Sequence, residues 1–232
     1  MTDKKFKAII PARSGSKGFL DKNIMLLNGK PLFSSSIRFA KKLSFVEDIL
    51  FLTDSEEYAE LAEIEGASIP YLRSNISSSD NSMEEDILFE LLNKDILKED
   101  TNILWLRPTH PLRDIEKFEQ AYKIYNSSKF DSVCLVTPVD SRIYKANYNC
   151  LEPFDISLKS KSMWRRQDVD KAFKIFHGEL FMLPSSYNPK FLGDKIGYVE
   201  MPSLCSFDID DSHDLDYLNM RIKTGIYDRF IH

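Results

Sequence analysis

Apolar runs separated by stretches of helical period constrain this chain more than any other feature. "KAIIPA" (7–12), "DILFLTD" (48–54), "NILWLRP" (102–108), "SVCLVTP" (132–138), "ELFMLP" (179–184) and "IGYVEMP" (196–202) each read as a buried strand, most of them stopped by Pro, Asp or Thr. Between the first four lie candidate helices. "PLFSSSIRFAKKL" gathers Leu32, Ile37, Phe39, Ala40 and Leu43 close to one stripe. "SEEYAELAEIEG" starts at an N-cap, Ser55, carries acids in its first turn and stops at Gly66. "SMEEDILFELLNKDIL" and "DIEKFEQAYKIYN" follow the same logic, and the chain closes with "SHDLDYLNMRIKTG", capped by Asp211 or Ser212 and stopped by Gly225. Strands that alternate with helices build βαβ units. The expected fold is α/β: a three-layer, Rossmann-like sandwich around a mostly parallel sheet, as one domain over residues 1–232.

One stretch departs from this pattern. From about 139 to 178 the chain is polar and aromatic, with Tyr144, Tyr148, Phe154 and Trp164 but no long apolar stripe. It reads as an excursion from the sheet, either a lid or an arm for a second subunit. No apolar run reaches the roughly 20 residues of a membrane span, and no signal peptide is read at the start. Cys134, Cys150 and Cys205 lack metal or disulfide spacing, which suits a reducing cytoplasm. A net charge of −5 argues against general nucleic-acid binding. Any anionic ligand must therefore be met by local charge.

"PARSGSKGFLDKN" (11–23) supplies such charge at the end of the first strand. Ligands of open α/β sheets bind beyond the carboxyl ends of the strands. Gly15 and Gly18 let backbone N–H groups converge on an anion, Arg13 offers a fork, and Lys17 and Lys22 act as mobile point charges. The loop matches neither GxxxxGK[ST] nor GxGxxG, so the alternative is a solvated turn. Near the other end, "CSFDIDDSHD" puts Asp208 and Asp210 two apart in a β-compatible stretch, where they share a face and suit one divalent cation. The competing explanation is an acidic loop that caps the last helix. Arg73 ends the stretch "YLR", where by itself it reads as a surface partner of Asp80 or Glu84. Arg107 and Thr109 emerge at the carboxyl end of the third long strand, and Arg113 opens the next helix.

"AIIPARSGSKGFLDKNIMLLNGKPL", "LFLTDSEEYAELAEIEGASIPYLR", "LWLRPTHPLR", "RRQD" and "FDIDDSHDLD" occur here in that order. In order and spacing they resemble the acylneuraminate cytidylyltransferases, which join CTP to a nine-carbon 2-keto acid sugar with Mg²⁺ and release pyrophosphate. The resemblance spans nearly the whole chain and is weakest at 139–178. It implies that Arg13, Lys17 and Lys22 contact the triphosphate, with Ser16, Asn23, Arg73 and Ser82 completing the nucleotide site. Arg107, Thr109, Lys145, Arg166, Gln167 and Lys174 match positions near the acceptor, a nonulosonic acid. Asp208 and Asp210 match the metal pair, leaving Arg13, Lys22 and Asp210 as the catalytic set. It further implies a homodimer that exchanges an arm. The chain departs from the family pattern at Glu84, where Ser is common, at Arg107, where Gln is usual, and at Lys174, where Arg is usual. His177 beside the last of these is an open question. A metal-dependent glycosyltransferase of the GT-A type and a non-catalytic nucleotide-binding subunit are the rival readings.

Overall fold

In the computed structural model, which describes residues 4–15, 19–79, 81–127, 129–140, 142–154, 170–182 and 191–232, strand β1 (Phe6–Pro11) lies inside the main sheet, one place in from its edge. After the 11–23 loop come two very short strands, β2 (Leu26–Leu27) and β3 (Lys30–Pro31), joined through Asn28 and Gly29 at φ 51° and 78°. Two consecutive left-handed residues are what a tight hairpin requires, and Asn-Gly supplies them at least cost. The chain continues through α1 (Ser34–Lys41), β4 (Val46–Leu52), α2 (Glu56–Ile64), α3 (Glu84–Asn93), β5 (Asn102–Trp105) and α4 (Ile115–Asn126). It then forms β6 (Ser132–Val139), β7 (Tyr144–Asn147), β8 (Cys150–Pro153), β9 (Ala172–Met182), β10 (Ile196–Glu200) and α5 (Ser212–Ile222).

Six strands share one sheet in the order β10-β6-β9-β5-β1-β4. β1 pairs parallel with β4 and β5, and β10 parallel with β6, while β9 lies antiparallel between β5 and β6. The mostly parallel sheet expected from the sequence is therefore present. Its excursion is shorter than the 139–178 read from composition. Ala172 already pairs with Val139, so β9 returns to the sheet well before residue 178. The described part of the excursion is the β7–β8 hairpin, a separate two-stranded sheet.

Alternation along the strands divides the core in two. Ala8 and Ile10 of β1, with Leu104 of β5, face one side with Phe33, Phe39, Phe118 and Leu218, under α1, α2, α4 and α5. Ile9, Ile103 and Trp105 face the other side, under Ile87, Leu88 and Leu91 of α3. This period of two, buried on both faces, is the signature of a three-layer sandwich. No described helix is long and apolar enough to cross a membrane.

Caps set two helix starts where the sequence placed them. The Ser55 hydroxyl accepts from Tyr58 N at 3.3 Å and begins α2. Asp211, rather than Ser212, caps α5: its Oδ1 accepts from Asp214 N at 3.0 Å, and Asp214 Oδ2 accepts from Asp211 N at 3.2 Å. Losing such a cap costs about 1 kcal/mol. Asp211→Ala is thus expected to lower the melting temperature by about 2–4 °C; an unchanged value in a thermal melt would show that the cap bears no load.

Candidate active site

The 11–23 loop leaves the carboxyl end of β1 and is tied down on both sides. Ser14 N and Oγ donate to the Asp54 carboxylate at 2.7 and 3.2 Å, joining the loop to the end of β4. Gly15 follows at φ +63°, a left-handed turn with no neighbouring atom to crowd it. Further on, Asp21 accepts from the Tyr58 hydroxyl at 2.9 Å, and burial together with this carboxylate pushes the Tyr58 phenol up. Buried Asn23 donates Nδ2 to the Arg13 carbonyl at 3.0 Å, closing the loop on itself. Ser16, Lys17 and Gly18 lie outside the described residues.

These ties shape one wall of an open cleft of about 270 Å³ beyond the carboxyl ends of β1 and β5. Arg13, Lys22, Asn23, Arg73, Ser82, Arg107 and Thr109 all line it, above an apolar floor that includes Ile87 and Trp105. The cleft thus brings together seven residues singled out in the sequence. Arg73 is buried, so the alternative of a solvated surface pair is excluded. Its backbone N–H bonds Thr53 O at 2.8 Å, while its buried Nε has no hydrogen-bond partner among the described residues. Burial pushes the guanidinium down, opposed by the charges of Asp54, Tyr71 and Glu90. An orphaned buried donor in a cleft wall is a cost that a bound acceptor removes. The 74–82 loop that carries the next wall is organised by Glu90 of α3, which accepts from Ser74 N at 3.2 Å and from the Ser77 hydroxyl. Ser82 Oγ in turn donates to Ser77 O at 2.7 Å.

The aspartate pair meets the edge of the cleft by a separate route, outside its lining. Residues 206–211 form no strand, against the β-compatible reading, but Ile209 N donates to Thr109 O at 3.0 Å and its side chain is buried. One inward residue leaves Asp208 and Asp210 flanking it, as an extended alternation dictates. Asp210 Oδ1 lies 3.6 Å from Lys22 Nζ, coupling the pair to the opening loop. Asp208 Oδ1 lies 3.2 Å from His110 Nε2, and its Oδ2 lies 3.8 Å from Lys174 Nζ on β9. Burial opposes ionisation of Asp208, but the His110 hydrogen bond and charge, with Thr109 and Lys174, outweigh it and hold the carboxyl below its usual range. Burial likewise pushes the His110 imidazole down, with Asp208 pulling the other way.

Not every expected residue arrives. Lys145 sits on the exposed β7–β8 hairpin, pairs with Glu152 Oε2 at 3.4 Å, and is not among the residues lining the cleft. Arg166 and Gln167 lie outside the described residues, as do Trp164 and the side chain of His177. Arg113 does not open a helix; Asp114 caps α4, and Arg113 is fully buried beneath the cleft. Asp54, Tyr58, Glu90 and His110 were not singled out in the sequence. Each acts on a partner distant along the chain, so no local spacing points to it.

A family model described as "Cytidylyltransferase" matches residues 7–157. The pseudaminic acid cytidylyltransferase of Campylobacter jejuni is 33% identical over 174 residues, 71% of this chain and 72% of that protein. The CMP-N,N'-diacetyllegionaminic acid synthase of Legionella pneumophila is 38% identical over 136 residues, 57% of each chain. The N-acylneuraminate cytidylyltransferase of Escherichia coli is 31% identical over 221 residues, 91% of this chain but 51% of that one. The chain thus spans little more than half the length of these last two relatives. Among solved structures, a CMP:2-keto-3-deoxy-manno-octonic acid synthetase complexed with CTP aligns at TM-score 0.67 and 14% identity, covering 96% of this chain and all of that one. At that identity the likeness is one of fold. The family model covers well over half of the chain, on strands and loops that build the cleft, and this chain belongs to the cytidylyltransferase family.

Proposed function

We propose that this protein transfers CMP from CTP to the 2-hydroxyl of a nonulosonic acid and releases pyrophosphate. The observation that carries the reading is the meeting of Arg13, Lys22 and Arg73 in one cleft, with Asp210 on Lys22 at its edge. Arg13 and Lys22 suit the triphosphate, Arg73 suits the polar edge of a base, and the apolar floor suits its flat face. Arg13 and Lys22, with Ser16 and Lys17 from the same loop, hold the phosphates in line for attack. Arg73, Asn23 and Ser82 hold the nucleoside. Thr109, Arg107 and Lys174 face the acceptor.

In the reaction, the acceptor hydroxyl forms a bond to the α-phosphorus of CTP as the bond to pyrophosphate breaks, and the hydroxyl proton is lost. Positioning and charge neutralisation carry such a transfer, so the fixed cations of the loop do most of the work. Asp208 and Asp210 fit Mg²⁺ by their donor chemistry: two carboxylates leave places for water and phosphate oxygens, as that ion prefers. Among the described residues no group of three or more Cys, His or acidic side chains is placed to hold a metal ion by itself. Mg²⁺ held there would neutralise charge on the phosphates.

A homodimer and a cytoplasmic home complete the reading. Tyr144, Tyr148, Leu151 and Phe154 are exposed on the hairpin and its end, an apolar surface suited to a second copy. The free thiols, Cys150 exposed among them, suit a reducing compartment. Sedimentation is expected to give a dimer that Tyr148→Asp with Leu151→Asp splits; a wild-type monomer would contradict the arm. Nucleotide choice tests the site itself. With Mg²⁺, CTP is expected to bind at least about tenfold more tightly than UTP or ATP. Equal binding of all three would contradict a cytidine site.

A further inference from the structure

The cleft holds one contact that triphosphate binding does not explain. Arg107 Nη2 donates to Glu84 Oε1 at 2.9 Å, joining the loop after β5 to the first residue of α3. Glu84 is the only carboxylate among the described residues that line the cleft, where it stands with Arg13, Lys22, Arg73 and Arg107. A carboxylate in a cleft for anions repels its ligand unless a cation neutralises it. Arg107 is that cation. The two side chains keep 29% and 31% of their exposure, so the pair is partly screened and adds little to stability. Its position asks for another purpose.

Arg107 is also held by its backbone. The fully buried Arg113 donates Nη2 to the Arg107 carbonyl at 2.7 Å, and His110 N donates to the same oxygen at 3.2 Å. Burial pushes the Arg113 guanidinium down, so holding this turn carries a desolvation cost. Main chain and side chain of Arg107 are thus fixed by separate partners. A planar fork held in one orientation recognises a carboxylate by geometry as well as by charge.

We infer that Glu84 is a positioning residue that orients Arg107 toward the carboxylate of the acceptor, and that the pair makes acceptor choice depend on shape. The inference rests on the reading of the chain as a CMP transferase to a 2-keto acid sugar. An isolated cation takes any carboxylate. A guanidinium already matched by Glu84 takes one whose hydroxyl or amide N–H donors also reach the Glu84 carboxylate. Without those donors two carboxylates meet unsupported. The pair therefore favours a polyhydroxylated or acylamino 2-keto acid over a small one.

Glu84→Gln keeps the shape and removes the charge. Steady-state pyrophosphate release is measured with CTP and acceptor varied separately, in wild type, Glu84→Gln, Glu84→Asp, Arg107→Gln and the Glu84→Gln/Arg107→Gln double variant. Glu84→Gln is expected to raise the acceptor KM about tenfold with the CTP KM within about twofold. Preference for the best acceptor over its deoxygenated analogues should shrink by a similar factor. Glu84→Asp is expected to recover part of the loss. In the Arg107→Gln background the Glu84 substitution should add less than about twofold, because without the Arg107 guanidinium the acceptor carboxylate is no longer held where its donors reach Glu84. Wild-type turnover with an unchanged acceptor KM in Glu84→Gln overturns the inference alone, as do additive losses in the double variant. A rise confined to the CTP KM overturns it too, and assigns Glu84 to the nucleotide. No acceptor-dependent release in the wild type overturns the inference together with the reading beneath it.

Discussion

Asp210→Ala should cut turnover by about a thousandfold while leaving the fold intact. Its side chain keeps 76% of its exposure and its ion-pair partner is Lys22 at 3.6 Å, so little packing is lost. A surface substitution of this kind shifts stability by less than about 0.5 kcal/mol. Its loss from the proposed metal pair is another matter. Metal-borne charge stabilisation in the transition state amounts to several kcal/mol, and each 1.4 kcal/mol is about tenfold in rate. Asp208 is a poorer probe, because its removal leaves buried His110 without that partner. Circular dichroism and turnover on the same Asp210→Ala sample check this. A wild-type rate with a native spectrum would remove Asp210 from the mechanism.

Lys22→Ala should raise the CTP KM by about 10- to 100-fold, the range expected when a charge-assisted contact worth about 1.5–3 kcal/mol is lost. The Lys22 side chain keeps only 14% of its exposure, yet it begins the short 3-10 turn Lys22–Ile24 whose backbone is held through Asn23 and Asp21. Those contacts do not involve the Lys22 ammonium, so the loop survives its loss. The effect should fall on CTP, with the acceptor KM moved far less. Initial rates at subsaturating CTP decide it. An unchanged rate would leave the charge of the opening loop without a ligand.

The sheet was legible because strands buried on both faces must be apolar throughout, as "KAIIPA" and "SVCLVTP" are. β9 was legible only in its second half. Its first residues carry Lys174, half exposed and paired to Asp208, and blend into the polar excursion before them. The β2–β3 hairpin had a signal, Asn28-Gly29, but strands of two residues show no alternation. At the site, Arg13, Lys22, Asp208 and Asp210 could be singled out because charge at a strand end or at i, i+2 has a local pattern, while Arg73 rested on the family resemblance. What fixes them did not. Ser14 meets Asp54 forty residues on. Arg107 meets Glu84 across twenty-three, and only the folded sheet makes them neighbours. Arg113 shows the limit most plainly: it was expected to open a helix, and nothing in the local sequence marks it as the fully buried side chain it is.

The central claim is the transfer itself, and pyrophosphate release tests it most directly. Purified protein is given CTP and Mg²⁺ with a panel of nonulosonic acids, an eight-carbon 2-keto acid sugar, and a blank without sugar. The account predicts release that depends on one nonulosonic acid, with the matching CMP-sugar in the same mixture and none in the blank. Release equal in the blank, or absent with every sugar while CTP binds tightly, would contradict it.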